Sequence, residues 1–120
     1  MAETEKSVAR NEEATVSRLA EFFPSAIRIR IPVRVTAKSK QGNGSNGTPS
    51  EETVIEFGTA REVLFVSALP LEFDDTVRLR NTDGSFDAQG SVVAVQLGSQ
   101  RSAVAVRFQG KVSNWIIQPA

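Results

Sequence analysis

The stretch IRIRIPVRV, Ile27 to Val35, governs the reading of the whole chain. Ile27, Ile29, Ile31, Val33 and Val35 alternate with Arg28, Arg30, Pro32, Arg34 and Thr36, the period of two that sends apolar side chains to one face of a strand and cationic ones to the other. Pro32 has no N–H to give to a ladder, so it must sit at an edge, a bulge or a bend. A long strand curling round the corner of a barrel meets that requirement.

Upstream the period is different. From Ser7 to Phe23, Val16, Leu19, Ala20 and Phe23 recur at i, i+3, i+4 and i+7, with Glu12, Glu13, Arg18 and Glu21 on the other faces. This predicts an amphipathic helix that Pro24 ends, because the residue before a proline is pushed out of the helical region. So short a helix is marginal alone. Its Val16/Leu19/Phe23 stripe must dock on something apolar, either the rest of the domain, which is the expectation, or a partner chain. The expected organisation is thus a helical segment over 1–24 followed by a strand domain over 25–120.

Downstream, Ser39 to Ser50 has no apolar residue and three glycines, and reads as a mobile hairpin loop. Further strand-like runs follow, bounded by turn signals. Glu52 to Phe57 should point Ile55 and Phe57 inward, whereas Glu62 to Ser67 (EVLFVS) is apolar on both faces. Asp75 to Arg80 alternates Val77 and Leu79 with Arg78 and Arg80; Phe86 to Leu97 contains Gly90, a signal for a bulge or bend. Ser102 to Phe108 sets Val104, Val106 and Phe108 on one face. Fourteen valines and six isoleucines favour strands throughout. The short, regular turns point to an all-β fold, and six strands of this length close most economically as an antiparallel barrel, which leaves no exposed edges. In the tail, Asn114 to Pro119, the single tryptophan, Trp115, is expected to cap the barrel end or the helix groove.

Composition narrows the function. A chain of 120 residues, 40% of them apolar, supports one core and one domain. With no cysteine there is no disulfide frame or thiolate metal site, and with no histidine the commonest general base and metal ligand is missing. Catalysis, cofactors and metals are therefore not expected; Asp74, Asp75, Asp83 and Asp87 read as solvated turn residues rather than a calcium site. The first ten residues carry Glu3, Glu5, Lys6 and Arg10 and no apolar core of a secretory signal, and no apolar run approaches the ~20 residues of a membrane span. A cytoplasmic protein is expected.

Fourteen basic residues balance fourteen acidic ones, yet unevenly along the chain. Residues 24–50 hold five basic and no acidic side chains; residues 51–90 hold three basic and nine acidic. Arg28, Arg30, Arg34 and Lys38 all fall at even positions, on the outer surface of the first strand. Such a stripe either pairs with acidic residues of neighbouring strands or binds a phosphodiester or acidic partner.

From about Arg28 onward the chain resembles a PilZ domain, the bacterial six-stranded barrel family whose best-known members bind cyclic di-GMP. The opening strand RIRIPVRV, Leu69-Pro70-Leu71 followed by Asp75-Thr76-Val77-Arg78-Leu79, the run Gly90-Ser91-Val92-Val93-Ala94-Val95, then Ala103 to Phe108 and Trp115 carry the resemblance. In that family the ligand is held by an RxxxR segment ahead of the first strand and a [D/N]xSxxG turn after the second. Here the two arginine places fall near Phe22 or Phe23 and Ala26, and the acidic, serine and glycine places near Phe57, Thr59 and Glu62. Only the hydroxyl survives in kind, and Glu62 sets a side chain and a negative charge where a dianion would approach.

The resemblance therefore implies a degenerate PilZ-like signalling domain that acts as an adaptor for a protein partner, through the docked helix and the acidic 51–90 surface. The alternative is a cyclic di-GMP receptor in which Arg28, Arg30 and Arg61 clamp the phosphates and Thr59 contacts a guanine edge. Thr59 and Arg61 equally suit plain turn roles. A third reading, a small nucleic-acid-binding barrel using the basic strand, lacks the surface aromatics that bases stack on, since Phe57, Phe65 and Phe108 fall on faces expected to be buried.

Overall fold

The computed structural model describes residues 13–38, 49–110, 112 and 115–117. The helix expected over 7–12, most of the expected hairpin loop (39–48), and the tail at 114 and 118–119 lie outside the described residues. Among the described residues one helix, α1 (residues 13–20), precedes six strands: β1 (Ile27–Ala37), β2 (Ser50–Gly58), β3 (Glu62–Ser67), β4 (Thr76–Asn81), β5 (Asp87–Gln96) and β6 (Ser102–Phe108). They form a closed antiparallel barrel in the order β1-β2-β3-β6-β5-β4.

Closure comes from β1, which pairs with β2 along most of its length and with β4 from Val33↔Asn81 to Ala37↔Val77. Pro32 lies one residue outside the β4 ladder, where a missing N–H breaks no bond on that side. The bulge on this strand is at Ile29 and Arg30, between the pairs Arg28↔Phe57 and Ile31↔Ile55. It bends β1 ahead of the proline.

Two apolar clusters result. Val33, Val35, Ile55, Val63, Phe65, Val77, Leu79, Val92, Val104 and Val106 fill the barrel interior. Outside the wall, Leu64 and Val66 of β3 with Ala103 and Ala105 of β6 meet Val16 and Leu19 of α1. This explains why β3 is apolar on both faces: one face lines the barrel and the other seats the helix. The two alanines keep that outer surface shallow enough for Leu19, 3% exposed, to sink into it. The helix stripe is thus occupied in cis, with Phe23 packed at its margin.

Two expectations are corrected. Phe57 does not point inward beside Ile55; it packs with the outer cluster under α1. Between Ile55↔Phe65 and Phe57↔Leu64, β2 carries one more residue than β3, and that extra residue, Glu56, reverses the alternation. On β5 the irregularity falls at Val93, between Val92↔Val106 and Ala94↔Ala105, and not at Gly90. Gly90 has a different reason: a Cβ there would stand 2.5 Å from the Arg107 carbonyl oxygen.

Each end of β3 meets a plug. Trp115 enters the core beside Gly58 and Thr59, its ring centroid 5.3 Å from Phe86 and 5.2 Å from Phe108, so of its two expected positions it takes the barrel end. A Cβ on Gly58 would come within 2.8 Å of the indole. At the far end, the connection leaving Ser67 lays Leu69 and Leu71 against the interior cluster. Among the described residues no buried side-chain nitrogen or oxygen lacks a hydrogen-bond partner.

Leu19→Ala is expected to cost about 2–5 kcal/mol of unfolding free energy, whereas Phe22→Ala, at a side chain 74% exposed, should change it by less than about 0.5 kcal/mol. Urea titration followed by the fluorescence of the single tryptophan measures both.

Candidate functional site

The β2–β3 turn is built around Thr59. Its backbone N–H donates to the Glu62 carbonyl at 2.9 Å, and its hydroxyl oxygen accepts from the N–H groups of Arg61 (3.0 Å) and Glu62 (2.9 Å). The same hydroxyl donates to Glu62 Oε1, and the Thr59 carbonyl accepts from Trp115 Nε1 at 2.7 Å. Glu62 Oε2 in turn receives Nε and Nη2 of Arg107, at 3.0 and 2.9 Å, across the Glu62↔Arg107 pair of the β3–β6 ladder. Every polar atom of Thr59 is engaged within the protein, and its residue is buried. A ligand reaching for this hydroxyl would have to break the bonds that shape the turn.

Arg61 contributes its carbonyl to Phe108 N–H, and its guanidinium makes no hydrogen bond or ion pair among the described residues. Arg28 and Arg30 lie on the outer surface of β1. Arg28 Nη2 bonds Glu13 Oε1 of α1 at 2.9 Å and lies 4.0 Å from Glu56 Oε1, with its guanidinium 5.7 Å from the centroid of Phe57. Arg30 Nε is 3.9 Å from the same Glu56 oxygen. The bulge that turned Phe57 outward also leaves Glu56 between the two arginines.

These side chains border a groove of about 420 Å³ between α1 and the β1–β2 surface, floored by Val16, Val54 and Val66. Arg28, Arg30 and Arg101 line it, and so do Glu13, Glu52 and Glu56. The structure brings Arg28 and Arg30 together; Thr59 and Arg61 do not line this groove. Three guanidinium groups facing three carboxylates leave little net field for an anion. Arg101 and Arg107 were not among the candidate site residues read from the sequence. An outward Glu56 was signalled by its place beside inward Ile55, but its arginine partners depend on strand register.

A second cleft, about 470 Å³, runs between Pro32-Val33-Arg34 and the turn Asn81 to Gly84. Arg34 and Arg80 face each other directly across β1 and β4, with Arg34 bonded to Ser50 Oγ (3.2 Å) and Glu52 Oε1 (3.3 Å). Along the same wall, the hydrogen bond from Arg78 holds the Asp87 carboxyl below the ordinary aspartate range, and Asp87 correspondingly raises Arg78. Asp83 is lowered chiefly by the Ser85 N–H, which donates to it at 2.9 Å. Arg28, Arg30 and Arg34 of the cationic stripe are thus answered by acids of neighbouring elements, while Lys38 donates to Gln89 Oε1.

Among the described residues no three His, Cys, Asp or Glu side chains gather into a metal-binding group. No helix among them is long and apolar enough to cross a membrane. No protein-family model matches the chain, and no curated protein matches it.

Thr59→Val strands two N–H donors and should cost about 1–3 kcal/mol, while Arg61→Ala should be near neutral in the same urea titration. A carboxyl lowered in the folded state adds stability above its unfolded pKa and loses it as pH falls through the folded one. Unfolding free energy is therefore expected to drop as pH passes below the ordinary aspartate value of 3.8. Asp87→Asn should flatten that drop slightly, as befits an exposed pair; chemical denaturation across acid pH reads the slope.

Proposed function

We propose that the chain is a degenerate PilZ-like signalling domain, working in the cytoplasm as a non-catalytic adaptor that recruits a protein rather than as a strong cyclic di-GMP receptor. The observation that carries this reading is the self-satisfied Thr59–Glu62–Arg107 turn. In the family that this chain resembles, the corresponding turn offers a polar side chain and an open glycine to the nucleotide. Here the hydroxyl and both nearby N–H groups are bonded internally, and the Glu62 side chain, 12% exposed, fills the approach. The closed six-stranded barrel agrees with the family's architecture, although fold by itself does not assign a ligand.

A second reading, cyclic di-GMP binding, has one observation in its favour: Arg28 and Arg30 line a common groove together with Arg101. To use it, a dianion must displace Glu13 and Glu56 from the arginines and leave Arg61 and Thr59 out. The nucleic-acid reading has weaker support: Phe57 packs beneath α1 and Phe65 inside the barrel, and the exposed Phe22 and Phe73 lie outside the basic strand, Phe73 between two acids.

Isothermal titration with cyclic di-GMP at low salt is expected to give no heat up to high micromolar ligand. Binding heat that Arg28→Ala weakens would establish the receptor reading instead. The tagged full chain should capture the same bacterial protein with and without the nucleotide; capture that requires the nucleotide, or complete inertness, would overturn the adaptor role.

A further inference from the structure

The connection between β3 and β4 contains an apolar residue that its own alternation leaves outside. Leu69 and Leu71 pack against the barrel interior, but Phe73, the next in that series, is 71% exposed. The turn that carries it is pinned at both sides. Asp75 N–H donates to the Glu72 carbonyl (3.0 Å) and Glu72 N–H to Asp75 Oδ2 (2.8 Å), while Asp74 N–H donates to the Val92 carbonyl and Val92 N–H to the Asp75 carbonyl, both at 2.8 Å. Asp74 is held at φ 73°, the left-handed region that an aspartate tolerates better than most residues. The ring thus stands on a fixed base, so little backbone ordering remains to oppose its burial by a partner.

Glu72 and Asp74 on either side of Phe73 are exposed and make no ion pair among the described residues. Neighbouring Lys38, whose N–H donates to the Thr76 carbonyl, directs its ammonium to Gln89 Oε1 at 2.8 Å. Acids flanking an aromatic are repelled by anionic lipid and by nucleic-acid phosphates, and attracted by a basic protein surface. Resting on the adaptor reading, we propose that Phe73 is the anchor of the recruitment surface and inserts into an apolar slot rimmed by lysine or arginine on a protein partner. Glu72 and Asp74 face that rim.

A random peptide library displayed on phage, panned against the full chain, is the probe. It should enrich peptides that combine lysine or arginine with aromatic or aliphatic residues. A synthetic peptide from that set should lose about tenfold or more in affinity for Phe73→Ala, and weaken for the Glu72→Gln/Asp74→Asn double variant and with added salt. Phe73 is exposed and asparagine accepts positive φ, so both variants should retain the wild-type amide spectrum, which confirms folding. Peptides that bind Phe73→Ala as tightly as wild type, a set without basic residues, or no enrichment at all would overturn the proposal. Nucleotide-indifferent capture that persists in Phe73→Ala would refute the anchor while leaving the adaptor role intact.

Discussion

The pairing of β1 with both β2 and β4 turns a sheet into a cylinder, and the remaining features of the molecule follow from that closure. A closed ring has no free edge to protect, but it leaves an inside that must be filled and an outside that faces water. From Ile29 to Val35 the alternating Ile/Val and Arg residues of β1 obey both demands along one strand, whereas Ile27, expected inside, is 54% exposed. Pro32 falls where the β4 ladder has ended; one residue further on, it would face that partner.

The outside is not uniformly wet. β3 and β6 carry an apolar patch on their outer surface, and α1 covers it, so the small fold has two layers on one side and a single wall on the other. Small residues at Ala103 and Ala105 and larger ones at Leu64 and Val66 make a seat for Val16 and Leu19. The Arg28–Glu13 bond fastens the same helix to β1, which places a cationic strand beside an acidic helix surface. Charge that looks segregated along the sequence is thereby largely paired in space.

The candidate site was partly legible. Thr59 and Arg61 fall in the turn expected of them, and Arg28 and Arg30 lie on the outer face that period two dictates. That Arg28 and Arg30 but not Thr59 and Arg61 line the groove beside α1 was not legible, because it depends on where the helix packs against the barrel wall. The Glu62–Arg107 pair joins residues far apart in sequence through the β3–β6 register. Likewise Phe57 was misplaced because a bulge at Glu56 shifts the alternation by one, and no residue type at that position announces an extra residue.

Local pattern alone settled the strand and helix identities, the outward course of the arginines on β1 and the need for a partner for the helix stripe, because side-chain alternation and amphipathicity are properties of a few consecutive residues. Which acid neutralises which arginine, where the bulges fall, and which barrel end Trp115 closes were settled only by the tertiary structure. Those depend on register between strands, and register is fixed by the simultaneous packing of the whole interior rather than by any one segment.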